Sequence, residues 1–186
     1  MVLPADPSMI EPVDDHASLD AGGRRYDVHV TPGHAAGHVS LFDGNTLISG
    51  DHLLPRISPN PFLELAEGEL PDRRPSLLEY LASLERFTAL DPASILPGHG
   101  EPFTDINTWT ERVRAHHAQR ARTILDAVRA RPAASAYQLT ERIFPNLDGF
   151  TIVLGISEIV GHLDLLHHDG LVEHNGHTPQ RWTARH

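Results

Sequence analysis

The sequence predicts a mixed α/β (α+β) fold in two parts, and three observations predict it. Short strand patterns alternate with helical ones over residues 1–131. The composition changes after Arg131-Pro132. Residues 132–186 then read as helices followed by a β-hairpin. Strands interleaved with helices imply a sheet carrying helices on its faces. A chain of 186 residues has room for one large or two small domains.

The elements follow in order. Met1 to Gly23 is rich in Pro, Asp and Gly, lacks periodicity, and reads as an irregular lead-in ending in a turn at Gly22-Gly23. Tyr26-Asp27-Val28-His29-Val30 alternates apolar and polar residues, as a half-buried strand does. Val39–Phe42 and Thr46–Ile48 flank the turn signal Asp43-Gly44-Asn45 and predict a hairpin. Leu53 to Arg74 is proline-rich and unpatterned, and loops of that length tend to be functional. It is expected to shape a substrate mouth.

Leu77, Leu81, Leu84 and Phe87 recur at helical spacing behind Pro75-Ser76, predicting a helix to about Leu90. Ser94 to Leu96 is a short strand. Thr108-Trp109-Thr110-Glu111 has the form of a capping box and is expected to open a long helix ending near Pro132, with Trp109, Val113, Ile124 and Val128 on one face. In the second part, Ser135 to Phe144 predicts a helix with Tyr137, Leu139 and Ile143 inward, and Thr151 to His168 predicts another. Leu171–His174 and Arg181–Thr183 predict a hairpin around Asn175-Gly176. Helices followed by such a hairpin suggest a winged helix over 132–186.

Composition narrows the function. Formal net charge is −10, with 15 Arg and no Lys. That balance disfavours a phosphate backbone as default partner. Within 133–186, Arg142, Arg181 and Arg185 face Glu141, Asp148, Glu158, Asp164, Asp169 and Glu173, so duplex DNA is not an expected partner. There is no Cys, which removes disulfides, thiolate metal sites and a Cys nucleophile. Neither a secretory signal nor a stretch of about 20 apolar residues is expected, and the reading is cytoplasmic and not membrane-bound.

The chemistry lies in three short motifs: Thr31-Pro32-Gly33-His34-Ala35-Ala36-Gly37-His38, Ser49-Gly50-Asp51 and Leu96-Pro97-Gly98-His99-Gly100. Each sets an imidazole or carboxylate after a glycine, just past a predicted strand. Imidazole and carboxylate together suit hydrolytic zinc. A lone His after Pro-Gly is more often a loop residue, and Asp after Gly is usually a turn residue or cap. Three in this order are a different matter.

On these motifs the chain resembles the C-terminal two-thirds of a metallo-β-lactamase-fold hydrolase, in the glyoxalase-II-like branch that includes β-lactamase-like protein 2 and carries a winged helix. The resemblance implies the C-terminal half of an αββα sandwich. It implies that His34 is a ligand of a first metal, that Asp51 bridges two ions, and that His99 serves the second. His38 is held outside the ligand set, as a residue that supports the ligands or packs the backbone, and His52, next to Asp51, reads either as a supporting residue or as solvent-exposed. The implied cofactor is Zn2+, with Mn2+ or Fe2+ as alternatives. The implied substrates are thioesters, esters or single-stranded RNA. His29, His116-His117 and His167-His168 read as non-catalytic. The family's remaining ligands come from His-x-His-x-Asp-His, which these 186 residues lack; Asp15-His16 is a faint echo of its end. The expectation is therefore an N-terminally truncated hydrolase, weak alone and completed by an N-terminal half. A non-catalytic binding or dimerisation module, including a homodimer, and an inactive fragment are the alternatives.

Overall fold

The computed structural model describes residues 8, 11–63 and 73–185. Most of the first ten residues of the lead-in and the centre of the proline-rich loop (64–72) lie outside the described residues. Four strands come first: β1 (Ser18–Ala21), β2 (Arg24–Val30), β3 (Val39–Phe42) and β4 (Thr46–Gly50). Helix α1 (Ser76–Leu90) then crosses to β5 (Ser94–Pro97), and α2 (Ile106–Ala130) follows. Helices α3 (Ala136–Ile143) and α4 (Phe150–His168) and the hairpin β6 (Val172–His174) and β7 (Trp182–Ala184) complete the chain.

The sheet order is β1-β2-β3-β4-β5. Neighbours are antiparallel except β4 and β5, which are parallel across the α1 crossover. Hence β2, β4 and β5 all point the same way, and their C-terminal ends share one edge of the sheet. Register sorts the faces. Phe42, Leu47 and Ile95 lie opposite one another and join α1 and α2 in a core with Leu77, Tyr80 and Phe87. Leu41, Ile48 and Leu96 occupy the other face, which carries the exposed Val39 and Leu19 at its margins.

Three local expectations change. The lead-in contains β1, joined to β2 through Gly22 and Gly23, both at positive φ as a two-residue hairpin turn requires. All four β1 residues are exposed, so no apolar alternation betrays the strand. Helix α2 begins earlier than the capping-box pattern at Thr108 implies. Its first helical residue is Ile106, and its cap is Asp105, whose carboxylate accepts from the Thr108 N–H at 3.0 Å. Burying Ile106 together with Trp109 fixes that earlier start. Tyr137 points outward at 50% exposure, because it lies about 200° around α3 from Leu139, whose side chain is fully buried. The cap of α3 is Ser135, paired reciprocally with Gln138.

Helix α2 runs through two cores. Ile106, Trp109 and Val113 belong to the sheet core, whereas Ile124, Leu125 and Val128 pack with Leu139, Ile159, Leu163 and Trp182. Helix α4 is long and apolar enough to cross a membrane by length and composition alone, a test that the core helix of a folded domain also passes. Here it packs against α1, α2 and α3, with Ile159, Leu163 and Leu166 buried.

Candidate metal centre

His34, Asp51 and His99 each follow one of the three co-directional strands β2, β4 and β5, so all three emerge at the same sheet edge. Asp51 and His99 touch. Past the register shift at the end of β4, the Gly98 N–H donates to the Gly50 carbonyl at 2.7 Å. That bond brings the two strand ends together, and His99 Nδ1 donates to Asp51 Oδ1 at 2.5 Å. A Cβ on residue 98 would stand 2.5 Å from Asp51 Oδ1 and 3.1 Å from the Gly50 carbonyl carbon, so glycine is needed for the approach. If the edge holds a metal ion, Gly98→Ala is expected to weaken its binding by about tenfold, the scale of a disturbed ligand support. Isothermal titration calorimetry checks it.

His34 is held by its other nitrogen. Its Nδ1 lies 3.2 Å from the Asn60 carbonyl, an acceptor, so Nδ1 carries the proton and Nε2 keeps a free lone pair. His38 lies beside it, with ring centres 6.4 Å apart. Its Nδ1 meets Thr31 Oγ1 at 2.9 Å, and Thr31 Oγ1 meets Ser40 Oγ at 3.1 Å. Burial, and then the neighbouring His34, push the His38 pKa down, with Asp51 opposing. His52 is fully buried rather than solvent-facing, packed against His38, Tyr80 and Phe87. Burial foremost lowers its pKa to about 3, so it stays neutral.

Among the described residues, His34 does not join the touching pair Asp51 and His99 in a group of three whose donor atoms all lie within 4.8 Å of one another; Asp15, His16 and His29 form such a group. That second group is already occupied by a cation of the chain. Arg86 Nη2 reaches both Asp15 oxygens at 2.8 and 3.0 Å and lies 3.4 Å from His29 Nδ1, while its Nη1 donates to the Val30 carbonyl. The Arg86 hydrogen bond chiefly lowers the Asp15 pKa, to about 2. Asp15 is thus an ion-pair anchor between α1 and β2.

The proline-rich loop divides in two. Leu54, Pro55, Arg56 and Ile57 wall a cavity of about 430 Å³ beside His99 and Glu101. The Trp109 indole N–H and Arg112 hold that wall through the Leu54 and Pro55 carbonyls. Residues 58–63 turn away and dock on α2 and α4.

The metallo-beta-lactamase superfamily model matches residues 2–99, which include all three motif residues. The chain belongs to the metallo-beta-lactamase superfamily. It is 32% identical over 161 residues to "Probable metallo-hydrolase YqjP" of Bacillus subtilis, covering 86% of this chain and 50% of that protein. It is 24% identical over 172 residues to the beta-lactamase-like protein 2 homolog of Caenorhabditis elegans, covering 91% and 54%. Among solved structures, a beta-lactamase domain protein from Burkholderia ambifaria superposes with a TM-score of 0.83 at 31% identity, covering 97% of this chain and 54% of that one. A metallo-beta-lactamase family protein from Thermus thermophilus gives 0.78 at 30% identity, covering 94% and 54%. The chain spans about half the length of the relatives it matches. The superfamily binds metal ions. The donor set here suits that role in its chemistry: two imidazoles and a carboxylate at one sheet edge, with a glycine cradle at residue 98.

Proposed function

We propose that this chain carries part of the metal centre of a hydrolase acting on ester, thioester or phosphodiester bonds. His34 and Asp51 serve one Zn2+, and Asp51 and His99 a second; Mn2+ or Fe2+ fit the same oxygen and nitrogen donors. The observation that carries this reading is the meeting of Asp51 and His99 at 2.5 Å across two strand ends, on the edge from which His34 also emerges. Bound cations of this kind supply an ionised water at neutral pH and polarise the scissile bond. The chain's own residues orient the donors: Asn60 fixes the His34 ring, Gly98 admits the Asp51 carboxylate, and the buried neutral His52 packs behind His38. The cavity walled by Leu54, Pro55 and Ile57 would receive an apolar portion of the substrate, with Arg56 near its rim.

Each ion would have two donors from this chain, whereas catalytic zinc normally keeps three. The sheet face of Leu41, Ile48 and Leu96 supports a further part of the reading. It is apolar and uncovered by α1 or α2, and it suits a second sheet that brings the remaining donors, an N-terminal half in the sense of the family's sandwich. The α3, α4 and β6–β7 unit reads as a winged helix, supported by the extra bridge from Ala134 to Trp182. Helix α4 is packed on three helices, which suits a structural duty better than a groove of duplex DNA.

Purified alone, the 186-residue chain is expected to bind Zn2+ weakly, with a further loss of about tenfold in Asp51→Asn. It is expected to show no thioester or single-stranded RNA hydrolysis above buffer with Zn2+ or Mn2+. Robust turnover would refute the incomplete donor set. Zn2+ affinity indifferent to Asp51→Asn and to His99→Ala would refute the site itself.

A further inference from the structure

The segment 58–63 joins the His34 loop to α4. On one side it holds His34 twice: the ring Nδ1 donates to the Asn60 carbonyl at 3.2 Å, and the Phe62 N–H donates to the His34 carbonyl at 3.3 Å. On the other side it is fastened to one face of α4. Asn60 Nδ2 donates to the Leu154 carbonyl at 2.9 Å. Ser157 Oγ donates to the Pro61 carbonyl at 2.8 Å and accepts from the Leu63 N–H at 2.7 Å. Residues 154 and 157 are three apart and so lie on the same side of the helix. Ser157 is 2% exposed, so its two bonds are made out of water, where their loss is costly.

We propose that Asn60 and Ser157 are positioning residues through which α4 sets the orientation and tautomer of the His34 imidazole. The C-terminal helices thereby become part of the metal site without contributing a ligand. The proposal rests on reading His34 as a metal ligand. Its physical basis is that the hydrogen bond at one imidazole nitrogen decides which nitrogen is left to bind. With the strap in place, Nδ1–H faces Asn60 and Nε2 is bare. With the strap loose, the ring is free to turn and to protonate Nε2, which closes the lone pair to a cation.

The test reads the tautomer directly, from the imidazole 15N shifts of His34 in metal-free protein at pH 8. In the unaltered chain Nδ1 should be protonated and Nε2 bare. Asn60→Ala and Ser157→Ala should move the population severalfold toward Nε2–H and weaken Zn2+ binding by about tenfold. Ser157→Thr, which keeps the hydroxyl, should restore the original shifts. If both alanine variants fold and leave the His34 shifts unchanged, the proposal is overturned. If Ser157→Ala fails to fold, Asn60→Ala, at a half-buried position, decides alone. A changed tautomer with unchanged Zn2+ affinity supports the strap and removes His34 from the ligand set, so the two readings fail separately.

Discussion

Acidification from pH 6.5 to 4.5 is expected to cost this protein about 2 kcal/mol of stability through His117 alone, with a slope that approaches about 1.4 kcal/mol per pH unit. The cause is a closed chain of hydrogen bonds between α2 and α4. His162 Nδ1 donates to the Glu158 carbonyl at 2.7 Å, so its Nε2 must accept. His117 Nδ1 donates to it at 3.2 Å, and His117 Nε2 then accepts from Ser58 Oγ at 2.9 Å. Each ring spends its one proton and each is neutral. A second proton on His162 would set two N–H groups head to head. On His117 it would bury a cation beside Tyr80, His162, His116 and Arg120.

Burial foremost, then the neighbouring His162, lowers the His117 pKa to about 3. Burial likewise lowers that of His162, against the pull of Glu158. The unfolded chain titrates near pH ~6.5. Below that pH it binds protons the folded chain refuses, so the stability is full above about pH 6.5 and falls as pH drops toward the folded values. Urea unfolding at pH 7.5, 6.5, 5.5 and 4.5 measures the slope. His117→Gln should be less stable at pH 7.5, because His162 and Ser58 lose their partner, yet show a shallower slope by roughly one proton. A slope indifferent to that substitution would mean that His117 is protonated in the folded state.

What the sequence makes legible follows from distance along the chain. The alternation in β2, the Asp43-Gly44-Asn45 turn and the leucine stripe of α1 are local patterns, and each element formed where the pattern lay. That His34, Asp51 and His99 emerge at one sheet edge is legible for a related reason: a glycine past a strand marks a loop, and loops after co-directional strands share an edge. Their contacts were not legible. The link from Asn60 to Leu154 spans 94 residues, and the pair His117–His162 spans 45. No local periodicity encodes either. The partner of Asp15 was equally hidden, because an Asp-His pair looks alike whether it faces a metal ion or the guanidinium of Arg86, which is 71 residues away. Thr108 and Asp105 both offer cap chemistry, and the choice fell to the burial of Ile106, a tertiary effect.

Gly33→Ala is expected to destabilise the protein by about 3–5 kcal/mol, combining backbone strain with overpacking. Gly33 sits at φ +131°, a conformation side chains rarely adopt. A Cβ there would stand 2.4 Å from Tyr80 Cα and 2.5 Å from Tyr80 N. Both are backbone atoms in the second turn of α1, and α1 cannot retreat, because Leu77, Tyr80, Leu84 and Phe87 anchor it fully buried. The collision can be relieved only by pushing the residue 33–34 segment outward, which carries His34 away from the Asn60 carbonyl. Gly98→Ala makes the contrast. Residue 98 has no positive φ, and the nearest atom its Cβ would meet is a side-chain oxygen of Asp51. Its cost should therefore appear in affinity for the proposed metal ion more than in the unfolding midpoint, whereas Gly33→Ala should lower both. Equal midpoints for the two variants would show that α1 does yield, and that the close packing of the His34 loop on Tyr80 is not what holds that loop in place.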